Sequence, residues 1–227
     1  MNILCVICAR TSSKGLKNKN FLKINGKSLI NHTINLATKS RIFNNIAVSV
    51  DKKKIELDGN KNKKIIFIER PKKLAQHNSK KVDAIRHAVR FSEIQKKKNY
   101  DYIFDLDVTS PLRNYSDIQN AFVKFKKENS NNLFSVTPSK KNPYFNIIEV
   151  KKKKVQLVKK EKKIIHNRQK APKTYDMNAS IYIWKKKHLF KTYNLFGKKT
   201  SIYIMPPERS IDIDSSFDFK LVKHLLV

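Results

Sequence analysis

The sequence predicts an α/β layer fold, a mixed and mostly parallel sheet flanked by helices. Two observations carry that prediction. Short apolar runs at residues 2–7, 45–50, 64–68, 102–106 and 133–136 have the length and character of strands buried on both faces. Between several of them lie stretches whose apolar residues recur at helical spacing. Strands alternating with helices build a parallel sheet covered on both sides.

Residues 2–7 make the first strand, and a polar, basic loop over 9–20 follows it. Asn25-Gly26 marks a turn. Leu29, Ile30, Ile34, Leu36 and Ala37 give the first helix face. Strand 45–50 runs up to Asp51, and 64–68 is the next strand. Val82, Ile85, Ala88 and Val89 form a second helix face. Strand 102–106 is broken by Thr109-Ser110-Pro111. Ser116 is placed to cap a helix whose apolar face holds Ile118, Phe122 and Phe125. After strand 133–136 the pattern changes. Within 138–173, residues 146–158 alternate loosely, are Lys-rich and carry no helix signal, and read as a β-hairpin arm outside the main sheet. Strands at 180–184 and 202–204 follow, and Phe217, Leu221, Val222 and Leu225 close the chain on a helix.

A length of 227 residues suits one domain, here 1–227 with 138–173 as an insertion. No apolar run approaches the roughly 20 residues of a membrane span, and no basic n-region precedes the first strand. A cytoplasmic protein without a membrane partner is expected. The formal charge is +32, from 50 Lys+Arg against 18 Asp+Glu. Such an excess raises a nucleic-acid-binding reading. The cations are scattered, however, and Lys, Asn and Ile are abundant while Gly falls to 4, the pattern of an AT-rich genome. Nucleic acid is therefore not the expected partner, although the field would draw small anions toward the protein. Cys5 and Cys8 spell C-x-x-C, but on a strand residues three apart face opposite sides. They read as buried structural thiols.

In open α/β sheets ligands bind beyond the carboxyl ends of the strands. Three segments with chemistry bear on that edge. The loop from Ala9 to Asn20 supplies Arg10, Lys14, Lys17 and Lys19, the hydroxyls of Thr11, Ser12 and Ser13, and Gly15, a mix suited to a triphosphate. It matches neither the Walker A nor the G-x-G-x-x-G pattern. Ser210-Ile211-Asp212-Ile213-Asp214 puts two carboxylates on one face of an extended segment. That pair suits magnesium; a cap on the final helix and a lysine pair is the competing use. Asp105 and Asp107 share a face at the end of a core strand, where unpartnered acids are costly.

Taken in order, these segments resemble the acylneuraminate cytidylyltransferases, the CMP-sialic acid synthetase family. The matching motifs are A-R-x-x-S-K-G-L-x-x-K-N from Ala9, S-V-D at Ser49, E-R-P at Glu69 and T-S-P-L-R at Thr109. They continue with R-Q-x-x-P at Arg168, N-x-x-I-Y at Asn178 and S-I-D-I-D at Ser210. The resemblance implies a Rossmann-like nucleotidyltransferase core, an arm that crosses a homodimer, and transfer of CMP from CTP to a nine-carbon sugar acid with loss of pyrophosphate. It implies CTP contacts for Arg10, Ser13, Lys14, Lys19, Asn20 and Arg70, with Arg10, Lys14 and Lys19 stabilising the leaving pyrophosphate. It implies magnesium on Asp212 and Asp214, and sugar contacts for Arg168, Asn178 and Tyr182. Two departures touch the sugar side. Asp107 stands where the family usually carries a sugar-contacting Gln, and His77-Asn78-Ser79-Lys80 stands where it carries D-T-A-S. They favour a legionaminic- or pseudaminic-type bacterial sugar over N-acetylneuraminate. A CMP-KDO synthetase is the nearest alternative, and a basic nucleic-acid-binding protein the alternative of another class.

Overall fold

The computed structural model describes residues 1–11, 16–51, 62–161 and 165–226. The elements run β1 (Ile3–Cys8), β2 (Lys23–Ile24), β3 (Lys27–Ser28), α1 (Leu29–Ser40), β4 (Asn45–Val50), β5 (Ile65–Glu69), α2 (Lys81–Lys96) and β6 (Tyr102–Leu106). Then come α3 (Tyr115–Lys127), β7 (Asn132–Pro138), β8 (Ile148–Lys151), β9 (Lys154–Leu157), β10 (Tyr175–Lys185), α4 (Lys186–Lys191), β11 (Thr200–Ile204) and α5 (Ser216–Leu225). One sheet of seven strands has the order β11-β7-β10-β6-β1-β4-β5. Only β10 runs against the others, antiparallel to both β6 and β7. The mixed, mostly parallel α/β sheet is as the sequence predicts.

Alternation along β1 explains its continuous apolar run. Ile3, Cys5 and Ile7 face a core built with α1, α3 and α5, through Ile30, Ile34, Ile118, Phe125 and Val222. Leu4, Val6 and Cys8 face the other side, covered by Ala84, Ile85, Ala88 and Val89 of α2 and Leu189 of α4. Both cysteines are free and buried, on opposite faces of the sheet. Asn25-Gly26 is the two-residue turn between β2 and β3, with φ of 50° and 77°. Positive φ at both central residues is what a tight hairpin requires and what Asn-Gly supplies.

One cap expectation is corrected, and the last helix forms as expected. Asn114, not Ser116, caps α3, in a reciprocal capping box with Asp117. Ser116 lies inside the first turn and donates to Asn114 Oδ1 at 2.8 Å. On α5, Phe217, Leu221 and Leu225 are exposed; the buried stripe is Val222, with Phe219 and Leu226 packed against the core. The sequence offered apolar residues all round this short helix, and the sheet takes only the face centred on Val222.

The hairpin expected over 146–158 forms a separate two-stranded sheet, β8 with β9. It sits in the connection between β7 and β10, whose antiparallel ladder closes at Pro138 opposite Tyr175. Ile148 faces Leu157 and Val150 faces Val155, so four apolar side chains share one face of the hairpin. Ile148, Val150 and Val155 are 60%, 71% and 67% exposed, so most of that face is open among the described residues.

Candidate active site

β1 lies between β4 and β6, so the chain moves away along β4 and β5 and then returns to the far side of β1. Such a reversal opens a crevice at the carboxyl ends of the strands. A cleft of about 270 Å³ lies there, walled by Arg10 after β1, Arg70 after β5, Asp107 and Thr109 after β6, and Asp212. Lys19, Asn20, Gln76, His77, Ser79 and Lys81 complete most of its lining.

One wall is cationic and held by backbone carbonyls. Arg70 is buried; its Nε donates to Ser49 Oγ at 3.1 Å and its Nη2 to Ser49 O at 2.7 Å and Ala9 O at 3.1 Å. The guanidinium thus ties the ends of β1 and β4 together while lining the cleft. Asn20 Nδ2 donates to Arg10 O at 3.0 Å, folding the basic loop back on its start. Thr11 donates its N–H and hydroxyl to Asp51, at 3.0 and 3.1 Å, which anchors the loop to the end of β4. Lys19 Nζ donates to Ile213 O at 3.0 Å and Asp214 Oδ1 at 2.8 Å, joining this loop to the acidic segment almost two hundred residues later. Ser13 and Lys14, the loop's other predicted CTP contacts, lie outside the described residues.

The opposite wall is acidic. Asp107 lines the cleft, and Thr109 Oγ1 donates to its Oδ1 at 3.3 Å. Lys81 Nζ lies 2.6 Å from Asp107 Oδ2 and 2.7 Å from the buried Asp105 Oδ2. Burial pushes both carboxyls upward. For Asp105 it wins, whereas the Lys81 ammonium holds Asp107 below its ordinary value. Burial alone would lower Lys81, but Asp105 and Asp107 outweigh it and keep the ammonium charged. Asp212 is raised, first by burial and then by Asp107 and Asp214, against the Thr109 hydroxyl and Lys19. The segment is fixed by Ile213 N–H donating to Thr109 O at 2.9 Å.

The residues present fit a divalent cation. Asp212 Oδ1 is buried without a hydrogen-bond partner, and an orphaned carboxylate oxygen beside a second acid is a natural ligand for a hard cation. Asp214 is exposed and paired with Lys19. It does not cap the last helix, since Ser215 does that with Asp218. Among the described residues no group of three or more His, Cys, Asp or Glu converges as a metal cage. A cation held by Asp212 and Asp214 would therefore take other ligands from phosphate oxygens and water.

Three predicted sugar contacts are not on this cleft. Asn178 is buried, with Nδ2 donating to Ser210 Oγ at 2.9 Å and Oδ1 accepting from Ser135 Oγ at 2.6 Å. Its amide clamps β10 to β7 and to the start of the acidic segment. Tyr182 stacks on Trp184 with ring centroids 5.6 Å apart. Its ring lies behind Lys81, 6.0 Å from the ammonium, and burial pushes its hydroxyl up to about 12. Arg168 is on the arm, donating Nη2 to Ser139 O at 3.0 Å, and lines a separate hollow with Pro172 and Tyr175. Sequence reasoning missed Lys81 and gave His77 no role, yet both line the cleft.

A doubly covered sheet with cations and carboxylates lining one cleft at its carboxyl edge fits the nucleotidyltransferase class. The cytidylyltransferase family profile matches residues 4–223. The chain belongs to the cytidylyltransferase family. It is 42% identical to a Campylobacter coli protein called post-translational flagellin modification protein B, over 99% of this chain and 94% of that protein. It is 40% identical to a CMP-N,N'-diacetyllegionaminic acid synthase of Campylobacter jejuni, again over 99% of this chain and 94% of that one. A solved CMP:2-keto-3-deoxy-manno-octonic acid synthetase complexed with CTP superposes with a TM-score of 0.68 at 16% identity, covering 100% of this chain and 98% of that one. At that identity the likeness speaks for the fold.

Proposed function

We propose that the protein transfers the cytidylyl group of CTP to a nine-carbon, sialic-acid-like 2-keto sugar acid and releases pyrophosphate. The observation that carries this reading is the joining of Arg10, Lys19, Arg70 and Asp212 around one cleft at the sheet's switch point. The name of the legionaminic acid synthase relative supports a legionaminic-type acceptor.

In this reaction the anomeric hydroxyl oxygen of the sugar acid bonds to the α-phosphorus, the bond from that phosphorus to the bridging oxygen breaks, and pyrophosphate leaves. The hydroxyl proton passes to solvent. The protein's part is positioning and charge stabilisation. Arg10, Lys19 and, from the basic loop, Lys14 offset the charge gathering on the departing pyrophosphate. Arg70, fixed by three hydrogen bonds to β1 and β4, presents a rigid guanidinium edge to the nucleotide. Magnesium held by Asp212 and Asp214 would neutralise phosphate charge and make the sugar hydroxyl more acidic.

The protein acts as a homodimer, with the arm of one protomer packed on the other. The uncovered face of Ile148, Val150 and Val155 supports this, because such a face favours burial. Arg168 and the arm then serve the partner's cleft, where a guanidinium suits the sugar carboxylate. Among the described residues no helix is long and apolar enough to cross a membrane, and the cytoplasm, where CTP is held, is the proposed site of action. Phosphorus NMR of a reaction with CTP, magnesium and a nonulosonic acid tests the reading: a CMP-sugar phosphodiester and pyrophosphate should appear together. CTP left intact with every such acid would refute it.

A further inference from the structure

Lys81 opens α2 and reaches two carboxylates at the end of β6. Its Nζ lies 2.7 Å from Asp105 Oδ2 and 2.6 Å from Asp107 Oδ2. Asp105 sits mid-sheet, 1% exposed, in register with Val6 and Tyr182, so it needs a cation. Asp107 has no such need, since its side chain is 22% exposed on the cleft wall. The two carboxylates share the Lys81 ammonium, with a weaker attraction from the buried Arg113 guanidinium, and of the two it is Asp107 that reaches the cleft wall. The facing wall carries Arg10, Lys19 and Arg70. Phosphates and a sugar carboxylate are drawn to that wall and repelled from Asp107. The group that suits Asp107 is a neutral hydrogen-bond donor. Oδ2 is taken by Lys81, and Oδ1 accepts from Thr109 Oγ1 at 3.3 Å, with the Thr109 N–H also bonding this carboxylate; the carboxylate's several lone pairs leave it acceptor capacity toward the cleft.

We propose that Lys81 determines acceptor specificity: it clamps Asp107 on the cleft wall so that Oδ1 accepts a hydrogen bond from a neutral donor of the sugar acid, a hydroxyl or an amide N–H. This rests on the cytidylyl transfer proposed above. Lys81 is a positioning residue, acting on the sugar through Asp107. Selectivity follows because an analogue lacking that donor leaves a charged acceptor unpaired in a closed cleft.

The test is steady-state kinetics on the full chain for wild type, Lys81→Arg, Lys81→Gln and Asp107→Asn, with calorimetric CTP binding and thermal melts alongside. Lys81→Gln and Asp107→Asn should raise KM for the sugar acid about 10- to 100-fold, the worth of one charge-assisted hydrogen bond. Their Kd for CTP should stay within about twofold of wild type, since the lost bond is to the sugar. Lys81→Arg, which keeps the cation, should restore most of the loss. A sugar analogue stripped of the donor should be a poor substrate for wild type, and the two impaired variants should use it nearly as well as the full sugar. Lys81→Gln strips Asp105 of its partner and can fail to fold; Asp107→Asn leaves the Lys81–Asp105 pair intact and carries the same kinetic prediction. A folded Asp107→Asn with wild-type sugar kinetics, or variants that weaken CTP instead of sugar, would overturn the proposal. A wild type that forms no CMP-sugar with any acid would sink the proposed function and this inference together.

Discussion

Replacing Arg209 by Met should loosen the acidic segment without touching the cleft. Arg209 donates Nε and Nη2 to the two oxygens of Asp117, each at 3.0 Å. Asp117 is 1% exposed and Arg209 34%. Two charge-assisted bonds at about 1.5 kcal/mol each give a gross loss of about 3 kcal/mol. Part of that is not felt. Asp117 keeps its bonds from Asn114 N and the Tyr203 hydroxyl, at 3.0 and 3.3 Å, and solvent already screens the guanidinium. A net destabilisation of about 2 kcal/mol is expected, and for a chain of this size that lowers Tm by roughly 4–8 °C. Asp212 lies three residues downstream of Arg209, so turnover should also fall severalfold relative to a surface control such as Lys220→Met. Thermal and urea denaturation read the first effect, and pyrophosphate release at 25 °C the second. The double variant Arg209→Met with Asp117→Asn should recover part of the loss, because it removes the unpaired buried charge. An unchanged Tm, or strictly additive effects in the double variant, would refute the clamp.

Other outcomes follow from the same geometry. Asp212→Asn should cut turnover by about 100-fold or more with an unchanged melt, by analogy with other removed charge-stabilising groups; full magnesium-dependent activity would remove Asp212 from the chemistry. Arg70→Lys keeps the charge but not the fork, so CTP affinity should weaken about tenfold and Tm should drop by a few degrees, and calorimetry that finds wild-type affinity would contradict the nucleotide contact. Val150→Glu with Val155→Glu should convert a dimer to a monomer in sedimentation velocity, whereas a monomeric wild type would refute the arm's role. Asp218 is held below its ordinary value by the Ser215 hydroxyl and N–H. A lowered carboxyl stabilises the fold above its unfolded pKa and loses that contribution as pH falls through the folded value. Asp218→Asn should therefore be less stable than wild type at neutral pH, with the gap closing as pH falls below about 4, and a gap that persists undiminished in strong acid would contradict the cap.

The sheet was legible because burial on both faces leaves a plain signature: five apolar runs in sequence became β1, β4, β5, β6 and β7. Half the cleft was legible for a similar reason. Arg10, Lys19, Asn20 and Asp212 sit in loops whose polarity interrupts those runs, at the edge where α/β sheets bind ligands. Lys81 was hidden among 50 Lys+Arg. The signal existed, since Asp105 in an otherwise apolar strand demands a cation, but spacing does not say which one answers. The setting of Asn178 was not legible for a backbone reason. Register shifts between Met177 and Tyr182, with Ala179 at a φ of 46°, and no residue pattern announces such a bulge. The arm escaped a full reading because the Arg168 guanidinium turns to its own Ser139 O within one chain.

The most direct measurement is pyrophosphate release with magnesium and each of CTP, ATP, GTP and UTP, crossed with legionaminate, pseudaminate, N-acetylneuraminate and KDO. The account predicts release that needs CTP and a nine-carbon acid, with legionaminate or pseudaminate ahead of N-acetylneuraminate. Release with another nucleotide, or with KDO alone, would contradict it.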